Sequence, residues 1–372
     1  ACAIMYYKIY GAAMELITVN KENRKYFLDF YRKQYINNEL KRDALSGMVK
    51  NILYGKSKLL SSVDIDPLMI VDNNEITMVS LLAYARRMPE YLQICFFESQ
   101  IYNMDAFKLI LNRAQEMAKE KKASKITGSL NIHVNYGLGF LASDFDKKQS
   151  FGAPYNPEFY NDYFKKSGFE TINMVSYKKD MISSPPLISS DAREKLKDMY
   201  TIREVSFKNF KKEIEIYTKI NNEAFKDHLF YYTRDTEEDY ELFKDLKYLM
   251  REENLIFAEK QGVPVGFMLW YPDFNEIIGK NEKPGIKTVV KNKLFSKRIK
   301  TFKIVEIGVI PEERNKGAIL ALFDYCYKCT KGRYDTMESS WILSDNFKSK
   351  GFGVKWADEE YKHYKAYVKE VI

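Results

Sequence analysis

Apolar positions along the chain change their spacing repeatedly, and each change marks an element. The run LMIVDNNEITMVSLLAYA, Leu68 to Ala85, alternates and turns at Asp72-Asn73-Asn74, which predicts a hairpin. QICFFESQ, the stretch that follows, predicts a buried strand. From Asp105 to Lys122 the apolar residues Phe107, Ile110, Leu111, Ala114 and Met117 recur at the i, i+3, i+4, i+7 spacing of an amphipathic helix. A strand over Ser124 to Ser129, a long polar loop and a helix around Pro157 to Lys166 complete this unit. The second half repeats the scheme. It predicts a helix around Phe210 to Phe225, a hairpin from Leu255 to Asp273 turning at Gln261-Gly262, and a strand from Phe302 to Ile310. A helix over Ala318 to Thr330 and a strand over Thr336 to Leu343 follow.

Between the two units stands SSPPLISSD, Ser183 to Asp191, whose paired prolines and serines break both helix and strand. The expected division is therefore 1–184 and 185–372, in keeping with 372 residues at roughly 150 per domain. Helices and strands alternate without the G-x-G-x-x-G or P-loop lysine patterns, which disfavours those nucleotide-phosphate folds.

With 45% hydrophobic and 30% charged residues, the chain has the composition of a globular protein rather than a disordered one. Its four cysteines are too few and scattered for a disulfide framework, so a reducing, cytoplasmic setting is expected. Cys326 and Cys329 form a C-x-x-C without a second ligand pair and read as helix-face residues; no metal is expected. His133 and His228 lack metal-ligand spacing and read as structural. No uninterrupted run of ~18 apolar residues occurs, so no membrane partner is expected. The net charge of +8 suits an anionic ligand. KNKLFSKRIKTFK, Lys291 to Lys303, is the strongest basic run: a solvated face, or an attractor of cofactor phosphates or a larger polyanion.

The most informative segment is VEIGVIPEERNKGAILALF, Val305 to Phe323. A buried strand runs into a turn begun by Pro311, and a basic, glycine-containing loop opens a helix. Free N–H groups from Asn315 to Ala318 at that helix start form a cradle for phosphate or pyrophosphate, with Arg314 and Lys316 adding charge. Val309-x-Pro311-x-x-Arg314-x-x-Gly317 resembles the acetyl-CoA pyrophosphate loop, Q/R-x-x-G-x-G/A, of the GNAT acyltransferase superfamily. The chain as a whole is similar to a little-characterised bacterial group of tandem GNAT-like proteins. That resemblance rests on GSLNIHVNYGLGFLASDFD (Gly128 to Asp146), APYNPEFYNDYFKKSGFE (Ala153 to Glu170), WYPDFNEII (Trp270 to Ile278), the loop, SSWILSDN (Ser339 to Asn346) and YKHYKAYVK (Tyr361 to Lys369). It implies an α+β fold of two tandem GNAT-like domains, each a mixed, mostly antiparallel central sheet flanked by helices. Two departures stand out. Ile319 occupies a position where the pattern has Gly or Ala, and the first unit carries SQIYNM where a loop of this kind would stand, so it reads as a degenerate copy.

The resemblance implies an acyl-CoA-dependent N-acyltransferase, with acetyl-CoA or another acyl-CoA as co-substrate and a small amine or amino-acid-like acceptor attacking directly. Main-chain N–H groups of Ile307, Gly308 and Val309 would polarise the thioester, and Glu306 would serve as base. Arg314, Asn315, Lys316, Gly317, Ala318 and Asn346 would hold the cofactor. The acid falls to Tyr364 or Tyr367, because Phe347 stands where the superfamily's tyrosine is expected and the final strand then runs from Glu359 to Tyr367. Asn221, Glu223, Trp270, Asp273, Asn275 and Ser340 would line the acceptor pocket. Two other readings remain open here: a non-catalytic ligand-binding protein, and a Fem-type aminoacyl-tRNA-dependent transferase, the one reading with a nucleic-acid partner.

Overall fold

The computed structural model describes residues 14–345 and 356–371. The first half contributes strands β1 (Glu15–Thr18), β2 (Val63–Asp72), β3 (Glu75–Ala85), β4 (Tyr91–Ser99), β5 (Lys125–Gly128), β6 (Phe140–Leu141) and β7 (Glu170–Asp180). Helices α1 (Arg24–Lys33), α2 (Ser46–Leu53), α3 (Met104–Lys121) and α4 (Tyr160–Lys166) accompany them. The second half has strands β8 (Thr201–Glu204), β9 (Leu255–Lys260), β10 (Val263–Pro272), β11 (Thr301–Val309), β12 (Thr336–Ser339), β13 (Ile342–Leu343) and β14 (Glu359–Glu370). Its helices are α5 (Ser190–Met199), α6 (Phe210–Phe225), α7 (Thr236–Leu246), α8 (Ile286–Phe295) and α9 (Ala318–Thr330). Both hairpins turn where the sequence predicts. Asn73, Asn74, Gln261 and Gly262 all adopt positive φ, the conformation that a two-residue turn between twisted strands requires.

The strands form one continuous sheet in the order β1-β2-β3-β4-β5-β14-β7-β12-β11-β10-β9-β8. Pairing is antiparallel except at β4·β5 and β11·β12, the corresponding parallel pair in each half. The last strand does not close the sheet of its own half. β14 inserts between β5 and β7, with Tyr367 opposite Gly128 on one side and Thr171 on the other. β7 in turn pairs with β12 through Thr336 and Asp180. Residues 184 and 185 do lie in the loop before α5, but the hydrogen-bonded ladders cross that point in both directions.

Helices cover both faces of each half. In the first, Phe107, Ile110, Ala114, Tyr163 and Phe164 of α3 and α4 pack on one face, and Phe27, Tyr31, Val49 and Ile52 of α1 and α2 on the other. In the second, Ile214 and Tyr217 of α6 with Phe243 of α7 cover one face, while Leu322, Phe323 and Cys326 of α9 cover the other. Each of the larger aliphatic and phenylalanine side chains among these, taken fully out of water, is worth about 1.5–3 kcal/mol. The alternation read from the sequence thus places its apolar stripes where the burial is.

Two expected elements are corrected. The strand expected over Thr336 to Leu343 is two pieces: β12 follows β11 only as far as Ile304↔Ser339, and after a last rung from the Ser340 N–H to the Ile304 carbonyl the chain leaves β11 and continues along β7 as β13. The final strand extends past Tyr367 to Glu370.

Candidate active site

The departure of the chain after Ser340 opens a wedge beside the distal half of β11. A bulge at Val305 lies at its base: Glu306 pairs with Leu269 and Ile304 with Trp270, so Val305 has no partner. Beyond the bulge the register fixes which amides face the wedge. The Ile310 N–H donates to the Val265 carbonyl at 2.9 Å, so Gly308, two residues earlier, also faces β10. Ile307 and Val309 alternate with it and turn their N–H and C=O groups toward the wedge, where no described strand meets them. Of the three amides expected to face a thioester, two are turned toward the wedge and one toward β10. Gly308 serves packing instead, because a Cβ there would lie 2.5 Å from the Phe267 ring and 3.0 Å from Cβ of Ala224 on α6.

Glu306 projects toward α6. Its carboxylate accepts from the Tyr217 hydroxyl at 2.5 Å and from Nδ2 of Asn221 at 2.7 Å, two side chains one helical turn apart and hence on one face. Burial, then the nearby Glu306 charge, raise the Tyr217 pKa well above that of a free phenol, so Tyr217 is a donor. Tyr231 donates to Oδ1 of Asn221 at 2.8 Å and thereby orients the amide. Behind them Arg234 and Asp239 form an ion pair of 2.5 Å with both side chains fully buried. Burial pushes Asp239 up to about 6 even with the guanidinium opposing it. The first half reaches this network through Asn135, whose amide, oriented with Oδ1 toward Arg234, accepts two guanidinium N–H groups at 2.8 and 2.9 Å. His133, two residues earlier, is fully buried and purely structural. Nδ1 accepts from the Asn135 N–H, which leaves Nε2 to donate to the Tyr232 carbonyl at 3.0 Å.

The loop from Pro311 to Gly317 ends in a left-handed turn, with Asn315 at φ 61° and Gly317 at φ 104°. Arg314 donates to the Ala224 carbonyl at the end of α6, at 2.8 Å, so this guanidinium clamps helix to loop. Lys316 pairs with Glu313 at 3.4 Å, and Glu313 is also held by Lys260 and the Tyr200 hydroxyl, bonds that bring its pKa down to about 2. Ala318 is buried as the first residue of α9, whereas Ile319 is exposed. Asn346 lies outside the described residues, as does Phe347.

The remaining expected site residues scatter. Tyr367 is buried in the first half, donating to Asn161 at 2.8 Å and stacking on Phe164. Tyr364 is buried in the core on β14 between β6 and β7, far in the chain topology from β11. Trp270 is wholly buried in the core under α9, because its neighbours on that face are Phe302 and Tyr334. Glu223 points outward and pairs with Lys226. Asp273 and Asn275 hold the first half's loop: Asp273 accepts from the Phe151 N–H and Asn275 donates to the Gln149 carbonyl. Ser340 marks the base of the wedge. Of the side chains expected around an acceptor, only Asn221 reaches Glu306. Tyr217, Tyr231, Arg234 and Asn135 were missed; position i−4 from Asn221 was the available signal for the first.

The corresponding wedge of the first half is filled. β4 is bulged at Phe96, which has φ 45° and donates its N–H to Asn131 at 2.7 Å. The Ser99 N–H, the register counterpart of Val309, donates to the Tyr160 hydroxyl, which itself donates to Glu98. A cavity of about 90 Å³ remains beside Glu98 and Tyr35.

Cys326 and Cys329 both have their thiol pKa raised by burial. Glu204, Glu253 and Cys329 bring three possible ligand atoms within 4.8 Å of one another. Arg333 pairs with Glu253 at 2.7 Å, and Tyr325 donates to Glu204.

No model of a known protein family matches the chain. Among curated proteins it is similar to Protein YghO of Escherichia coli K12, at 24% identity covering 71% of this chain and 70% of that one. It is also similar to the bacterial ceramide synthase of Caulobacter vibrioides, at 22% identity covering 71% of each. Among solved structures, a tandem GNAT protein from the clavulanic acid biosynthesis pathway superposes with a TM-score of 0.54 at 10% identity, covering 97% of this chain and 99% of that one. A conserved protein of Enterococcus faecalis V583, a probable N-acyltransferase, superposes with a TM-score of 0.55 at 14% identity, covering 96% and 73%. A bulged strand leaving its parallel neighbour in each half, a glycine loop opening α9, and superposition along nearly the whole length together give this chain the fold of the tandem GNAT-like proteins.

Proposed function

We propose that the chain is an acyl-CoA-dependent N-acyltransferase whose chemistry belongs to the second half. The observation that carries this reading is the pairing of a half-exposed carboxylate, Glu306, with two outward amides, Ile307 and Val309, on one bulged strand. Acyl-CoA supplies the activated thioester. The amides would donate to its carbonyl oxygen as negative charge develops there, and Glu306 would take the proton of the attacking amine. The new bond is an amide, the bond that breaks is C–S, and the departing thiolate regains a proton, which Glu306 or a water beside it can return. The α9 start after Gly317, with the unpaired N–H groups of a first helical turn, would hold the pyrophosphate. The filled wedge of the first half suits a unit that builds the site rather than performs catalysis.

The acceptor is an amine. One curated relative is named a ceramide synthase, and making a ceramide is forming an amide on a long-chain amino alcohol. That name favours a long-chain amine beside the small amine or amino-acid-like acceptor expected from the sequence.

Isothermal titration of acetyl-CoA and of a long-chain acyl-CoA against wild type and Glu306→Gln tests the reading, followed by thiol release with each acceptor class. The expected result is equal acyl-CoA binding by both proteins and turnover lowered about 10²–10⁴-fold in the variant. No binding of either acyl-CoA by a folded wild type would refute it and bring a non-catalytic or tRNA-dependent role forward.

A further inference from the structure

α8 and the turns on either side of it carry a charge out of proportion to their length. From Lys280 to Lys300 there are eight lysines and arginines and one acid, Glu282, so this segment holds nearly the whole of the chain's net charge of +8. The excess is not scattered over a polar helix. Ile286, Val290 and Leu294 recur every fourth residue and are 84, 49 and 69% exposed, forming one apolar stripe that faces solvent. Lys287 flanks the stripe on one side and Lys293 on the other, both exposed. The orientation is fixed from behind. Thr288 is buried, Asn292 donates to the Leu249 carbonyl at 3.0 Å, and Lys291 holds Glu282 and the Ile277 carbonyl. Rotating the helix to hide the stripe would break all of these.

An exposed apolar stripe bordered by lysines matches what an anionic lipid surface accepts. The aliphatic side chains enter the boundary between headgroups and acyl chains, and the lysine stems reach back so that the ammonium groups meet phosphate. We propose that α8 docks this protein on the surface of an anionic phospholipid bilayer, lying in the interface without crossing it. No described helix is long and apolar enough to cross a membrane, so the contact is peripheral. This departs from the sequence-based expectation of no membrane partner and would give the basic run a role that neither Glu306 nor the α9 loop uses. It goes beyond the proposed acyl transfer and does not depend on it.

Vesicle flotation tests it with the full chain, using phosphatidylcholine vesicles with and without about 30% phosphatidylglycerol. Wild type should float with the anionic vesicles only and be released by salt as the Debye length shrinks. Ile286→Ser/Val290→Ser/Leu294→Ser, all at exposed positions, should lower binding at least tenfold with an unchanged circular dichroism spectrum. Lys287→Gln/Lys293→Gln should lower it roughly fivefold per charge. Failure of wild type to float, or equal flotation of the serine variant, would overturn the proposal. So would sedimentation showing a wild-type dimer that the serine variant loses, because the stripe would then be covered by a second copy.

Discussion

Asp273 offers a sharp test of how the two halves are held together. It follows β10, and its Oδ1 accepts both the Phe151 N–H of the first half, at 2.8 Å, and the Asn275 N–H, at 3.1 Å. Burial, and secondarily the Glu338 carboxylate, push its pKa up to about 7 against those two bonds. An unfolded aspartate titrates near ~3.9. Because the folded value is the higher one, the group's contribution to stability is fully present below about pH 4 and is lost as pH rises through about 7. Across the full window that amounts to ~4 kcal/mol, and between pH 5 and pH 8 to about 2–3 kcal/mol. Lys303, whose pKa burial lowers to about 8, acts in the other limb: its contribution is present above ~10.4 and lost as pH falls through about 8. Asp273→Asn isolates the first effect, since an amide oxygen can accept the same two N–H groups. Urea denaturation of both proteins at pH 5 and pH 8 should show the asparagine variant gaining about 2–3 kcal/mol on wild type between the two. A difference that stays constant within about 0.5 kcal/mol would refute the buried, uncharged Asp273 at low pH on which the reasoning rests.

Other positions give tests with different readouts. Gly317→Ala should lower stability by about 1–3 kcal/mol, because φ 104° is strained for any side chain and its Cβ would sit 2.5 Å from Leu196; adding Leu196→Ala should recover only the clash, and an unperturbed melting temperature in the single variant would contradict the turn. Tyr367→Phe should cost ~1 kcal/mol by stranding Asn161, while leaving turnover unchanged; a large fall in kcat would return Tyr367 to the catalytic set. Ending the chain after Asp358 should abolish the cooperative melt of both halves, measured by circular dichroism, since β14 is the strand that joins β5 to β7. A truncated chain that still melts in one sharp transition would show that the inserted strand is dispensable.

Periodicity made most elements legible. A helix from Met104 to Lys121 and hairpins at Asn73-Asn74 and Gln261-Gly262 follow from local spacing and turn chemistry, which depend on neighbours in the chain alone. What alternation does not contain is the identity of the partner strand. The residues from Glu359 to Glu370 alternate as a half-buried strand should, yet nothing in that pattern distinguishes pairing with β12 from pairing with β5 and β7. The resemblance alone put Tyr364 and Tyr367 in the site of Glu306, and the register places them against β5, β6 and β7 instead. Glu306 entered through the resemblance, which implies a base on that strand, and the structure shows the carboxylate held by Tyr217 and Asn221. Tyr217 and Arg234 were not legible, because each looks like an ordinary residue of a polar helix or loop until α6, α7 and the first half close around them. Trp270 misled in the other direction: its ring was read as a pocket wall, and the core under α9 claims it whole.

The strand exchange and the network around Glu306 bear on the same question, which is why a half with a filled wedge is retained. A buried Arg234–Asp239 pair is a weak source of stability, since stripping water from two ions offsets most of their attraction. Its value here is positional. Arg234 is fixed on one side by Asp239 of α7 and on the other by Asn135, which belongs to the first half and follows the buried His133. Tyr217 lies against that guanidinium and donates to Glu306, so the environment of the carboxylate is set by residues from both halves at once. The inserted β14 makes that arrangement obligatory, because neither sheet is complete without a strand from the other end of the chain. The first half therefore contributes to the candidate site by holding Glu306, the proposed base, in place, a role that requires no ligand of its own and is compatible with its wedge being closed by Tyr160 and Asn131.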